Sequence, residues 1–436
     1  MPIYRMFGAS KDDFHWPVNY FWPMLTFAKS TSTPTFFLGL VLVILFASMG
    51  QSSAQTRAYV LCEGAQDFYS GEILEAPRLG TFDVTAETPV FEEIHVFEGH
   101  SFAADLILDE TGEVLFVAAE DTVYKMDAQT GVILAEQPLE GARQLLLTES
   151  RVLVTRGDYD PETFGSVAFD QYLVALDRED LSWQAGWQAI EGEGPMFASE
   201  AMCVLDGQLY VGINNAFAWG EEVGIVGRVD LATGEYTESD LGPEGLNPVH
   251  LFAADGGVVS VNARQFEATS LSRVESGSLT LTSVVAETTA GCGAAAKLGD
   301  NIVFQVYGEG DFRLAHPSSL VSAGPWPGNG LSAYSMCVTS NAVLLGGTDF
   351  ATTGQVDILN LEGEVLATVS TGIAPGQIVV QSATTNVAES VNTNSEGREV
   401  MAQYDVLGRP YGSNAAGLRV VHFTNGEAEM RYQLAD

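Results

Sequence analysis

The chain has 436 residues, 46% of them hydrophobic, which is enough for one large repeat domain or two to three average ones. Its 57 acidic against 19 basic residues give a formal net charge of −38. A field of that sign repels phosphates, so it argues against nucleic acid as a partner, makes cations natural companions, and keeps the surface soluble in salty surroundings.

In chain order, the first element is the apolar run FFLGLVLVILFA at residues 36–47, followed by the small polar segment SMGQSSAQ. Twelve apolar residues are too few to span a bilayer, and they fit the core of a signal peptide with its cleavage site just beyond. Residues 1–55 are therefore expected to be a signal peptide and leader, with Met24 as an alternative start that leaves Lys29 as the basic flank. The exported chain then has no transmembrane span. Removing the leader leaves 16 basic and 55 acidic residues, a net −39, with Lys125 and Lys297 as the remaining lysines. Cys62, Cys203, Cys292 and Cys337 also remain, at long spacings with no CxxC, so packed or free thiols are expected.

From residue 56 onward one unit recurs. The stretch GRVDLATGEY reads as strand, Asp-x-x-Thr-Gly turn and strand, and like turns are centred on Asp83, Asp127, Asp177, Asp230, Glu275, His316 and Asn360. They are separated by 44, 50, 53, 45, 41 and 44 residues. Ahead of the turns lie paired apolar strands such as AMCVLDGQLYVG and HLFAADGGVVSV. Several short strands per unit at this period, with almost no helical pattern, predict an all-β fold, a seven-bladed β-propeller over residues 56–385; a solenoid is the alternative. Blade one starts without an inner strand. The run GQIVVQSATT, residues 376–385, is expected to supply it and so close the ring.

The loops between second and third strands differ in length. Blade two spends only AAEDT, whereas blades one, three and four carry long loops holding Phe68, Tyr69, Tyr159, Phe164, Phe217 and Trp219. Long loops in a compact fold are commonly functional, and aromatics supply contact area at modest entropic cost. They form either a shared binding surface or a local cluster folded over the blades. His100 and His250 lie near starts of inner strands, at the channel mouth, where each could serve a site or act as a structural hydrogen-bonding group. Asp158, Asp160 and Glu162 alternate as the opening of a Ca2+ loop does, but without the glycine and distal glutamate of an EF-hand; a solvated acidic loop is the competing reading. No P-loop, HExxH, GxSxG or complete GxGxxG is present. The turns ALDREDLSW and KMDAQTG resemble the blade motif of quinoprotein dehydrogenases, yet Trp183 comes two positions early and generic blade turns explain the match.

The opening YVLCEGAQDFYSGEI, residues 59–73, resembles the YVLNEG start of extracellular bacterial propellers related to YVTN-type surface-layer proteins, with Cys62 in place of Asn. That resemblance implies a propeller without an assigned reaction. After a polar linker, residues 386–397, the tail 398–436 reads as three short strands outside the repeat. It resembles the C-terminal sorting domain of type IX secretion substrates at Tyr404, Asp405, Gly408 and Arg409, then Gly417, Leu418, Val420 and Val421, then Asn425 and Gly426. It departs from the pattern in lacking the first half of a full domain and in ending on Asp436. A structural β-ribbon is the plain alternative. The resemblance implies passage through the periplasm and export by the type IX machinery to the medium or the cell surface. The leading expectation is a non-catalytic module binding a protein or glycan partner; the alternative is a hydrolase, lyase or quinoprotein using channel-mouth residues. An enzyme requires convergent titratable groups with shifted pKa values around a pocket, whereas a binder requires an exposed aromatic patch.

Overall fold

Asp206-Gly207 and Asp255-Gly256 both hold positive φ, 50° and 74° in the first pair and 51° and 73° in the second. Such two-residue turns match the right-handed twist of antiparallel strands and join them without splaying. In the computed structural model they link Ser199–Leu205 to Gln208–Ile213 and Pro248–Ala254 to Gly257–Asn262. The structure describes residues 56–67, 70–160, 163, 165–264, 267–328 and 333–381, and the backbone of three strands between 400 and 433. The leader, residues 1–55, lies outside the described residues.

Each hairpin extends into a four-stranded antiparallel sheet, and seven such sheets follow one another along the chain. This is the seven-bladed propeller, without an α-helix among the described residues. The turns that revealed the repeat join third to outer strands. In five of them the Asp or Asn side chain accepts backbone N–H groups just beyond it, as Asp127 does from Gln129 and Thr130 and Asp230 from Ala232 and Thr233. Four residues after Asp127 and Asp230 stand Gly131 and Gly234, with φ of 68° and 78°. Leu181 and Leu320 hold the same left-handed conformation in blades three and six although they carry side chains. Both side chains are buried between blades, and that burial offsets the conformational cost.

Closure occurs as expected. Pro375–Val380 pairs antiparallel with Arg57–Cys62, so blade one takes its innermost strand from the end of the ring and its others from the beginning. The core is correspondingly divided into seven layers, one per blade interface. The second strands feed both neighbours: Leu153 packs toward blade four while Val152 and Val154 pack toward blade two. Period-two alternation therefore places apolar residues on both faces. All four cysteines are free thiols, and burial pushes those of Cys62 and Cys203 up to about 12.

The tail forms a three-stranded antiparallel sheet, Val400–Asp405, Gly417–Phe423 and Ala428–Gln433.

Candidate ligand site at the channel mouth

Antiparallel alternation puts the start of every innermost strand at the same end of its blade as the loop between second and third strands. Long loops and channel mouth therefore share one face. The innermost strands of blades three, four, five, seven and one each lose regular register within their first few residues. A bulge re-aims the residues within it. Arg143, Glu200, Tyr334 and Gly376 fall inside these irregularities.

Tyr334 and Gly376 meet Glu63, the first residue of the blade-one loop, and the charge of Arg143 acts on it. The Tyr334 hydroxyl donates to the Glu63 carboxyl, lying 2.9 and 3.0 Å from its two oxygens. A Cβ at position 376 would collide with that carboxyl, so glycine there makes the room Glu63 occupies. Burial holds the Glu63 carboxyl up at about 8, against the opposing effect of the Tyr334 hydrogen bond. Burial and the neighbouring Glu63 likewise raise the Tyr334 hydroxyl. Both groups remain reachable from the funnel yet are surrounded by protein.

Opposite them, Arg143 Nη2 lies 3.3 Å from Glu200 Oε1, and Asn214 Nδ2 donates to Glu200 Oε2 at 2.8 Å. The guanidinium is 5.1 Å from the ring centres of both Phe102 and Phe217, a cation held between two aromatic faces. Its Nε is buried with no acceptor among the described residues. Glu120 accepts from the Ser101 backbone N–H and hydroxyl. Burial raises the carboxyls of Asp158 and Asp105, the latter to about 6.

Two cavities open here. One, of about 450 Å3, is lined by Glu63, Glu120, Arg143, Asp158 and Tyr159, with Phe102, Phe217 and Phe350 at its walls. The second, of about 320 Å3, is mainly apolar and is lined by Ala290, Cys292, Tyr307, Ala333, Tyr334 and Phe350. Phe350 lines both cavities and meets Tyr334 edge to face at 4.9 Å, while the hydrogen-bonded pair Glu63 and Tyr334 puts one member in each. Burial raises the Cys292 thiol, the carboxylates of Glu200 and Glu63 adding to the shift.

The residues singled out in the sequence fall in several places. Tyr159 lines the polar cavity, and Phe217 does so while also packing on the small cluster of Phe169, Tyr172 and Ala198. Phe217 thus belongs both to the cavity lining and to the local cluster. Trp219 is 81% exposed. Phe68, Tyr69, Phe164 and Glu162 lie outside the described residues. Asp158 Oδ1 accepts the Tyr159 N–H and Asp160 Oδ1 the Thr163 N–H, both local turn bonds. Among the described residues no group of three or more His, Cys, Asp or Glu side chains is placed to hold a metal ion.

His250 Nε2 donates to the Gly293 carbonyl, tying blade five to blade six, and burial lowers its pKa. It belongs to a series of such clips at this end of the ring. Asp105 accepts from Leu145 N, Thr155 donates to the Glu200 carbonyl, Gln305 accepts from Ala333 N, and Ser335 donates to the Pro375 carbonyl. His100 bonds the Tyr124 hydroxyl at 2.7 Å, with Nδ1 3.6 Å from Glu120, one residue away from the lining Ser101. In the tail, Tyr404 and Asp405 end the first strand and Gly417 and Leu418 begin the second, while Gly408, Arg409 and Gly426 lie outside the described residues.

Sequence reasoning missed Glu63, Arg143, Glu200 and Tyr334. A signal was available, because Ala142, Ser199 and Ala333 occupy equivalent inner-strand positions and the residue after each is large and polar.

No family model and no curated protein matches the chain. Solved structures similar to it include the computationally designed Ika8 protein, 14% identical, covering 76% of this chain and 96% of that one at a TM-score of 0.44. The Pan2 WD40 domain of Neurospora crassa is 10% identical over 73% of this chain and 85% of its own, with a TM-score of 0.44. Kuenenia stuttgartiensis hydrazine synthase is 12% identical over 78% and 98%, with a TM-score of 0.49. The propeller assignment rests on the strand pairing of this chain rather than on these likenesses. No helix among the described residues is long and apolar enough to cross a membrane.

Proposed function

We propose that this protein is a secreted or cell-surface binding module whose site is the funnel at the channel mouth, with the long loops of blades one, three and four as its rim. The observation that carries this reading is the polar cavity at the loop end of the blades, built by several of them and edged by Tyr159, Phe217 and Phe350. A cavity of this size, with aromatic walls and a few convergent polar groups, is the usual form of a ligand site. The partner is a protein or glycan group small enough to enter it. Replacing Tyr159 and Trp219 by Ala should abolish binding in a screen against glycans and envelope proteins with little change in thermal stability. Unchanged binding with a large loss of stability would show them to be packing residues.

Export is part of the same reading. Residues 1–55 act as leader and signal peptide, 56–385 as the propeller, 386–397 as linker, and 398–436 as a type IX-like sorting tail. The sequence resemblance at Tyr404, Asp405, Gly417 and Leu418, in a tail of three paired strands, supports it. A fusion of residues 386–436 to a periplasmic reporter should leave the cell in a host that has the machinery. Periplasmic retention beside normal export of a known substrate would refute the assignment.

A catalytic reading has its own support. Glu63 and Asp158 at the polar cavity and Tyr334 and Cys292 at the apolar one all depart from their ordinary pKa values, and such groups cluster at reaction sites. In that reading Glu63, a carboxyl kept protonated at neutral pH, is the proton donor. Turnover of a glycoside or ester panel by the parent and its loss in Glu63→Gln would establish it, and absence of turnover by the parent would remove it.

A further inference from the structure

Three features of the funnel remain unused by a general binding role. Arg143 presents a buried Nε without a protein acceptor, and the neighbouring Nη2 is held only at 3.3 Å by Glu200. Nε and Nη2 together form the edge of the guanidinium that matches a carboxylate with two parallel hydrogen bonds. Carboxyl groups share the cavity with Arg143: Glu63, Glu120 and Asp158 line it and Glu200 pairs with the arginine. A ligand carrying only a carboxylate would meet the carboxyl groups of Glu120, Asp158 and Glu200, besides the largely protonated Glu63, and one cation. An ammonium group on the same ligand turns that repulsion into attraction and gains the faces of Phe102, Phe217 and Phe350. Beyond the Glu63–Tyr334 pair lies the apolar slot, where Cys292, Tyr307 and Phe350 offer contact to a hydrocarbon or aromatic group.

From this juxtaposition we infer that the channel mouth binds a free α-amino acid with a large apolar side chain: carboxylate on Arg143, ammonium toward Glu200 and Glu120, side chain in the slot beside Phe350. The inference rests on the reading of the funnel as the binding site. It adds the ligand class and assigns Arg143 as the anchor. A zwitterion meets the Arg143 guanidinium, whose Nη2 is shared with Glu200 and whose Nε alone lacks an acceptor among the described residues, without opposing the acidic wall. A simple sugar answers the hydrogen bonding but leaves the apolar slot empty.

Calorimetry on the full chain near pH 7 separates the parts of such a ligand. The probes are L-phenylalanine, 2-phenylethylamine, which lacks the carboxylate, 3-phenylpropionate, which lacks the ammonium, and glycine, which lacks the side chain. L-Phenylalanine should bind at least about tenfold more tightly than any of the other three, with 3-phenylpropionate weakest. Arg143→Lys, which keeps the charge and removes the fork, should bring L-phenylalanine down to the level of 2-phenylethylamine while leaving the latter unchanged. Phe350→Ala, at an exposed position, should bring it toward glycine. Equal affinity for L-phenylalanine and 2-phenylethylamine, tighter binding of 3-phenylpropionate, or no binding of any probe at millimolar concentration would overturn the inference. Should Arg143→Lys fail to fold, the ranking of the four probes on the parent decides alone. If the ranking fails while Tyr159→Ala and Trp219→Ala still abolish capture of a glycan or protein partner, the ligand class is wrong and the funnel stands as the site.

Discussion

Glu63 concentrates the tension of this molecule in one side chain. Its carboxyl sits where burial disfavours charge, supported by the Tyr334 hydroxyl and by the missing Cβ of Gly376. A carboxyl whose folded pKa is raised takes up more protons folded than unfolded, so stability falls as pH rises from the ordinary 4.5 toward about 8. Asp105, raised to about 6, adds to the fall over its lower window. Glu63→Gln keeps the shape and a hydrogen-bond partner for Tyr334 but cannot ionise. Its unfolding free energy relative to the parent should therefore climb between pH 4.5 and 8, by one to a few kcal/mol at about 1.4 kcal/mol per unit, reduced by screening from cavity water. Urea titrations across that range measure it. A difference that stays flat with pH would mean that the carboxyl is ionised throughout.

Blades are joined by more than their apolar layers. Trp187 ends the outer strand of blade three, and its indole N–H donates to the Gly234 carbonyl in the turn of blade four at 3.1 Å. Trp326, in the same position of blade six, donates to the Leu361 carbonyl of blade seven at 2.9 Å. Position and donor thus recur three blades apart, and in both the acceptor is a carbonyl in the next blade's turn. Trp187→Phe keeps the ring in its layer and orphans the carbonyl, which should cost about 1 kcal/mol in urea unfolding. Trp183→Phe, four residues earlier and 48% exposed, should lie within about 0.5 kcal/mol of the parent. Similar losses at both sites would mean that the indole bond contributes nothing beyond hydrophobic area.

The ring depends on one strand that is distant in sequence. Five residue pairs couple Pro375–Val380 to Arg57–Cys62, and the interface of blades seven and one buries Val60, Cys62, Leu344 and Ile358. A chain ending at residue 370 exposes a bare edge and loses Ile378 and Val380 from that layer. It should lose its single cooperative unfolding transition in calorimetry and associate through the edge. An equally stable, monomeric truncation would show that the other six interfaces suffice.

What the sequence determined by itself is whatever depends on local pattern. Asp230 and its counterparts declare turns because their side chains satisfy the backbone amides just beyond them, and seven turns at one period leave few architectures open. GQIVVQSATT was legible as the closing strand because blade one lacked one. Tyr159 and Phe217 were legible as residues of long loops, and they do line the cavity. The tertiary structure alone decided the centre of the site. Glu63, Arg143, Glu200 and Tyr334 are separated by up to 271 positions; the last three lie in segments whose own sequence reads as ordinary strand starts, and Glu63 opens a loop. They meet because closing the ring brings the first residues of its innermost strands together with Glu63, which opens the loop after the second strand of blade one. Their burial, and with it the raised pKa of Glu63, arises from neighbours contributed by other blades, which no local spacing records.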